Sequence, residues 1–108
     1  MLDKAKVREV ADKYSEEVCK ILNPSKIILF GSYVNGSPHE WSDIDIAVLV
    51  NDVKDEDWYN TCVSLWGING DNIDDFIDIE PHLLNPNHDP SGFVEHVIKT
   101  GEVIYQSA

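Results

Sequence analysis

The chain has 108 residues, and its twenty Asp plus Glu against eight Lys plus Arg give a net charge of −12 at pH 7. A protein that grips nucleic acid through its phosphates needs a basic surface, so template-directed polymerisation, tRNA as main substrate and extended nucleic acid as partner are all disfavoured. A hydrophobic share of 43% and a charged share of 26% are ordinary for a soluble globular protein, and the length suits one domain, residues 1–108, with a modest core.

The first expected element is an amphipathic helix from Asp3 to Leu22. Val7, Val10, Ala11, Tyr14, Val18, Ile21 and Leu22 recur at three- and four-residue steps and form one stripe. Asp3 is the expected N-cap, and Asn23-Pro24 stops the helix. Met1 is followed at once by charged residues, which is not a signal-peptide pattern. Cys19 and Cys62 lack close metal-ligand spacing and suit reduced, mostly buried thiols of a cytoplasmic protein. No apolar run approaches the roughly 20 residues a membrane helix needs, so no membrane is expected.

Lys26–Phe30 is an apolar, β-rich run expected as a central strand, and Gly31-Ser32 ends it. A strand that turns through Gly-Ser into a short helix points backbone N–H groups outwards, which suits phosphate. Gly31 lets the backbone approach an anion, and the Ser32 hydroxyl adds a donor or a cap. Gly36 stops the short helix, and Ser37 to Ser42 forms a loop that rims the pocket. Asp43 and Asp45 then open a second strand, Ile44–Val50. Residues two apart on a strand share a face, so the two carboxylates project together while Ile44 and Ile46 turn to a core. Carboxylates held that close repel unless a cation lies between them, and Mg²⁺ is the expected one. The plain alternative is a loop with two surface aspartates.

Trp58 to Ile68 is expected as a second long helix, with Trp58, Cys62, Leu65 and Trp66 on one stripe and Asp55 or Asp57 as cap. Gly67 and Gly70-Asp71-Asn72 close it. Phe76 to Glu80 alternates as a strand, with Ile77 and Ile79 on one face and Asp78 and Glu80 on the other. His82 follows the proline, is expected near the site mouth and receives no role. Pro90 to Thr100 is a short helix with a stripe of Phe93, Val94, Val97 and Ile98. Glu102–Tyr105 is a last strand or extended tail suited to the sheet edge.

Gly31-Ser32, ten intervening residues and then Asp43-Ile44-Asp45, continued through Gly36 and Ser42, resembles the signature of the DNA polymerase β-like nucleotidyltransferase superfamily. The short chain is most similar to its minimal nucleotidyltransferases (MNT). The resemblance implies an α/β (α+β) nucleotidyltransferase fold, a small mixed sheet packed against helices. It implies two Mg²⁺ ions held by Asp43, Asp45 and a third carboxylate on the neighbouring strand. Relatives often carry Ile-Glu-Pro-His there, so Glu80 is assigned, with Asp78 as the alternative third ligand. It also implies ATP or another nucleoside triphosphate held by Gly31, Ser32 and Ser42. Many relatives carry Arg or Lys where Tyr33 or Asn35 stands, which leaves the metal ions, the helix N-terminus and Lys26 to supply positive charge.

The implied activity is metal-dependent nucleotidyl transfer with release of pyrophosphate, AMP passing to a hydroxyl of a helical HEPN-type partner in a toxin–antitoxin pair. Two alternatives stand beside it. One is an antitoxin that neutralises its partner by contact alone. The other is transfer to a small molecule such as an aminoglycoside, whose positive charge suits the acidic chain.

Overall fold

The architecture follows from one central strand that is apolar from Ile27 to Phe30. In a computed structural model, which describes residues 3–35, 43–69, 76 and 78–107, that strand lies inside a four-stranded sheet. The elements are α1 (Lys4–Ile21), β1 (Lys26–Phe30), α2 (Ser32–Asn35), β2 (Ile44–Leu49), α3 (Asp55–Trp66), β3 (Ile79–Leu84), α4 (Phe93–Thr100) and β4 (Glu102–Gln106). The strand order is β3-β2-β1-β4. β1 runs antiparallel to both β2 and β4, whereas β2 and β3 are parallel. A parallel pair needs a crossover, and α3 supplies it. This is the mixed α/β arrangement expected from the sequence. Glu102–Gln106 is a true edge strand, with a register shift between Ile27 and Ile28.

Alternation along the strands sorts side chains to two faces. Ile27, Leu29, Ile44, Ile46, Val48, Ile79 and Leu83 join Val7, Ala11, Tyr14 and Val18 of α1 and Leu65 of α3 in the larger core. Ile28, Ala47 and Leu49 face the other way and pack under Val94 and Val97 of α4. Tyr14 ties α1 to α3, because its hydroxyl donates to the Leu65 carbonyl at 2.8 Å and its ring meets Phe76 edge-on. Burial pushes the Tyr14 phenol upward, so it stays a neutral donor. Arg8 joins α1 to β4 by pairing with Asp12 and Glu102. The α4–β4 turn comes so close to β1 that a Cβ on Gly101 would lie 2.5 Å from Ile28 Cγ2.

Several boundaries differ from expectation. Asp3 caps α1 as expected, accepting from the Lys6 amide at 2.8 Å. Helix α3 starts earlier, at Asp55, with Lys54 as N-cap; Asp55, Glu56 and Asp57 lie in its first turn. There they complement the positive end of the helix dipole rather than capping it. Trp66 is 61% exposed instead of joining the inner stripe. At eight residues from Trp58 it has rotated off the Trp58–Cys62–Leu65 line. Helix α4 starts at Phe93, and Asp89 binds its first turn by accepting from the Val94 and Glu95 amides. Cys19 and Cys62 are unpaired and half-buried.

The largest correction concerns β3. It runs from Ile79 through Pro81 to Leu84 rather than from Phe76 to Glu80, and Phe76 and Asp78 lie in turns ahead of it. The Ile44 amide donates to the Asp78 carbonyl and the Val50 amide to the Leu84 carbonyl, so even-numbered residues of β3 face β2. Pro81 therefore turns its missing N–H to the open edge, where no rung is lost. The sequence expectations for Gly36, the loop Ser37 to Ser42, Gly70-Asp71-Asn72 and Ile77 lie outside the described residues.

Candidate active site

The turn after β1 places Gly31 directly beside β2. Phe30 is the cross-strand partner of Asp45, so the chain leaving β1 passes the Asp45 side chain. Gly31 has φ +86°, and a Cβ there would lie 2.3 Å from Asp45 Oδ2. Both facts select glycine: the backbone conformation is one that L side chains rarely adopt, and the carboxylate occupies the space. Ser32 follows as the first residue of α2, half-buried.

Register then brings the second carboxylate alongside. Asp45 of β2 is directly paired with Glu80 of β3 across the parallel ladder. Both project from the sheet face opposite the larger core, since Ile44, Ile46 and Ile79 point into that core. The Glu80 carboxyl is raised above its ordinary value of 4.5, first by desolvation and then by the negative charge of Asp45, with Asp43 adding to it and His82 opposing it. Asp43 stands one residue ahead of β2, exposed, and reaches Glu80 through this charge. Asp78 stands one residue ahead of β3, also exposed, with its carbonyl taken by the Ile44 amide. It is Glu80, not Asp78, that lies level with Asp45.

His82, expected near the site mouth but given no role, joins the two carboxylates. It follows Glu80 by two positions on the same face, and its Nε2 donates to Asp45 Oδ1 at 3.2 Å. Its ring lies edge-on to Phe30 at 5.1 Å, and Phe93 of α4 packs against both rings. The signal was the alternation Glu80–His82–Leu84, legible once the strand is carried through Pro81. Asp45, Glu80 and His82 offer ligand atoms all within 4.8 Å of one another. Two carboxylates of hard oxygen suit Mg²⁺, and the imidazole adds a donor common to transition metals. Ser42 lies outside the described residues. Lys26 lies at the far end of β1, paired with Leu49, about 13 Å along the strand from Phe30. It is therefore no source of positive charge for this site. Tyr33 is buried in the larger core.

A family model described as polymerase beta, nucleotidyltransferase matches residues 6–108. The chain belongs to this family. As a polymerase β-like nucleotidyltransferase it shares its fold with a candidate nucleotidyltransferase from Sulfolobus solfataricus, at TM-score 0.65 and 20% identity over 94% of this chain and 82% of that one. A toxin–antitoxin complex with AMP-PNP matches at TM-score 0.56 and 23% identity over 98% of this chain and 75% of that one. The complex of a tri-AMPylated HEPN toxin from Shewanella oneidensis with MNT antitoxin matches at TM-score 0.56 and 19% identity, over 93% of this chain and 73% of that one. None of the curated proteins matches the chain. Among the described residues, no helix is long and apolar enough to cross a membrane.

Proposed function

We propose that the protein transfers AMP from ATP to a hydroxyl of a helical partner protein of the HEPN class, using Mg²⁺. The observation that carries this is the pairing of Asp45 with Glu80 across the β2–β3 ladder, beside a turn that only glycine fits. Asp43, Asp45 and Glu80 would hold the ions, with His82 fixing the Asp45 carboxylate. Bound there, divalent ions neutralise a triphosphate tail and lower the pKa of an attacking hydroxyl. The Gly31 and Ser32 backbone, with the Ser32 hydroxyl and Ser42, would orient the phosphates. Glu80, level with Asp45 across the ladder, would stand beside the acceptor hydroxyl and accept its proton. Two structural relatives support the partner class, since they are toxin–antitoxin complexes, one with AMP-PNP and one with an AMPylated HEPN toxin.

One observation favours contact-only neutralisation as a second reading. No Lys or Arg stands between Lys26 and Lys54, so the segment around the turn brings no cation to a triphosphate. Incubation with Mg²⁺, ATP labelled at the α-phosphate and the candidate partner separates the two. Label on the partner, lost in Asp45→Asn, is expected. A tight complex without label, equally tight for Asp45→Asn, would replace transfer with contact.

A further inference from the structure

Helix α3 carries two apolar stripes. The inner one, Trp58, Cys62 and Leu65, packs on the larger core. The outer one is Tyr59, Val63 and Trp66, which stand 76%, 52% and 61% exposed. Steps of four and three residues put them on one line along the helix. Asp55 and Glu56, four and three residues before Tyr59, continue that line towards the N-terminus and are exposed. A single exposed apolar side chain is ordinary. A line of three that includes Tyr and Trp is the composition of a protein interface.

The charges along α3 are also unlike those of the other long helices. On α1, Glu9 pairs with Lys6 and Lys13, Asp12 with Arg8, and Glu17 with Lys20. On α4, Glu95 pairs with Lys99. Among the described residues, no ion pair involves Asp55, Glu56 or Asp57, and the last turn of α3 holds no basic residue. The helix thus presents an apolar line that ends in acids without an ion-pair partner among the described residues.

We infer that the outer face of α3 docks a partner protein through an amphipathic helix whose apolar stripe is flanked by Lys and Arg. A helix laid along another meets it through side chains at such steps. The acids select its charge and speed its approach. A second copy of this chain fits poorly, because it would bring a further −12 and the same acids to the patch. The docking face also leaves the candidate active site open. Helix α3 covers the sheet face that carries Ile44 and Ile46, while Asp45, Glu80 and His82 project from the opposite face. The inference therefore stands whether or not the site transfers a nucleotide.

The test uses a synthetic helix of about 18 residues, with a leucine stripe flanked by lysines, and a twin carrying glutamates instead. Calorimetry should show the lysine helix binding the full chain at least about tenfold more tightly than its twin. The charge-neutral variant Tyr59→Ser/Trp66→Ser should lose at least about tenfold of that affinity, with unchanged circular dichroism. Asp55→Asn/Glu56→Gln should weaken the lysine helix and flatten its salt dependence. Absence of binding, equal binding of the twins, or full affinity in Tyr59→Ser/Trp66→Ser would overturn the inference. So would a dimer in sedimentation that Trp66→Ser abolishes, since a second copy would then cover the face.

Discussion

Asp45 and Ile46 are neighbours in β2 and serve opposite faces of the sheet. Ile46 enters a core closed by α1 and α3. Asp45 enters a face that α4 covers only in part, over Ile28, Ala47 and Leu49, while Asp45, Glu80 and His82 occupy the same face nearer the Gly31 turn. One face gains stability from apolar area. The other gathers carboxylates, and there Glu80 is raised first by desolvation and then by the charge of Asp45, which costs stability when it ionises. The strand is shared, so the stable face fixes the geometry of the unfavourable one.

Substitutions at Asp45 and at Ile46 should separate the two faces. Asp45→Asn should lower nucleotide transfer by about 10²–10³-fold, the scale of losing one transition-state-stabilising group, with little change in the unfolding midpoint. Ile46→Ala should cost about 2–5 kcal/mol in denaturant unfolding while the folded fraction keeps its specific activity. If both variants lost stability and activity together, the faces would not be separable.

Gly31→Ala should blur the division in a defined way. A residue with φ +86° and a carboxylate oxygen 2.3 Å from its would-be Cβ must move the turn or Asp45. About 1–3 kcal/mol of stability should go, and transfer should fall with it. Tyr14→Phe touches only the core side. It removes the 2.8 Å hydrogen bond to the Leu65 carbonyl and leaves the one from the Ile68 amide at 3.4 Å, so unfolding should shift by about 1 kcal/mol and transfer should not change.

The smallest effect tests the cost on the site face. The folded Glu80 carboxyl is raised above 4.5 by desolvation and by Asp45. Below 4.5 it is protonated in folded and unfolded chains alike. As pH rises through the raised value, the folded chain must hold a disfavoured charge, and stability is lost. Without metal, Glu80→Gln should therefore raise the thermal midpoint slightly at pH 7 and leave it unchanged near pH 4. Added Mg²⁺ should reverse the order at pH 7 by stabilising only the parent.

Much of this was legible because β1 and β2 are continuous apolar runs and the 3.6-residue period is strong in α1. The Asp43-Ile44-Asp45 spacing pointed to the strand that carries Asp45, although Asp43 stands ahead of that strand and outside the Asp45–Glu80–His82 group, and the alternation to Glu80 overlapped only the first two residues of β3. The register of β3 against β2 was not legible. It depends on how far the strand continues, and Pro81 resembles a stop until its place at the sheet edge is known. That hid His82, which needs both the continued strand and the Phe30–Phe93 packing to reach Asp45. Trp66 was misplaced for a simpler reason: a tryptophan near a buried stripe resembles part of it, and only the accumulated rotation along α3 separates the two lines.

Pro81 has one more consequence. The outer margin of β3 offers a would-be extra strand a ladder with a missing donor at its midpoint. A stray extended peptide, or the same margin of another molecule, cannot zip along it without leaving an acceptor unanswered. The residue that lets the strand run on to His82 thereby also guards a crowded solution of this protein against open-ended stacking.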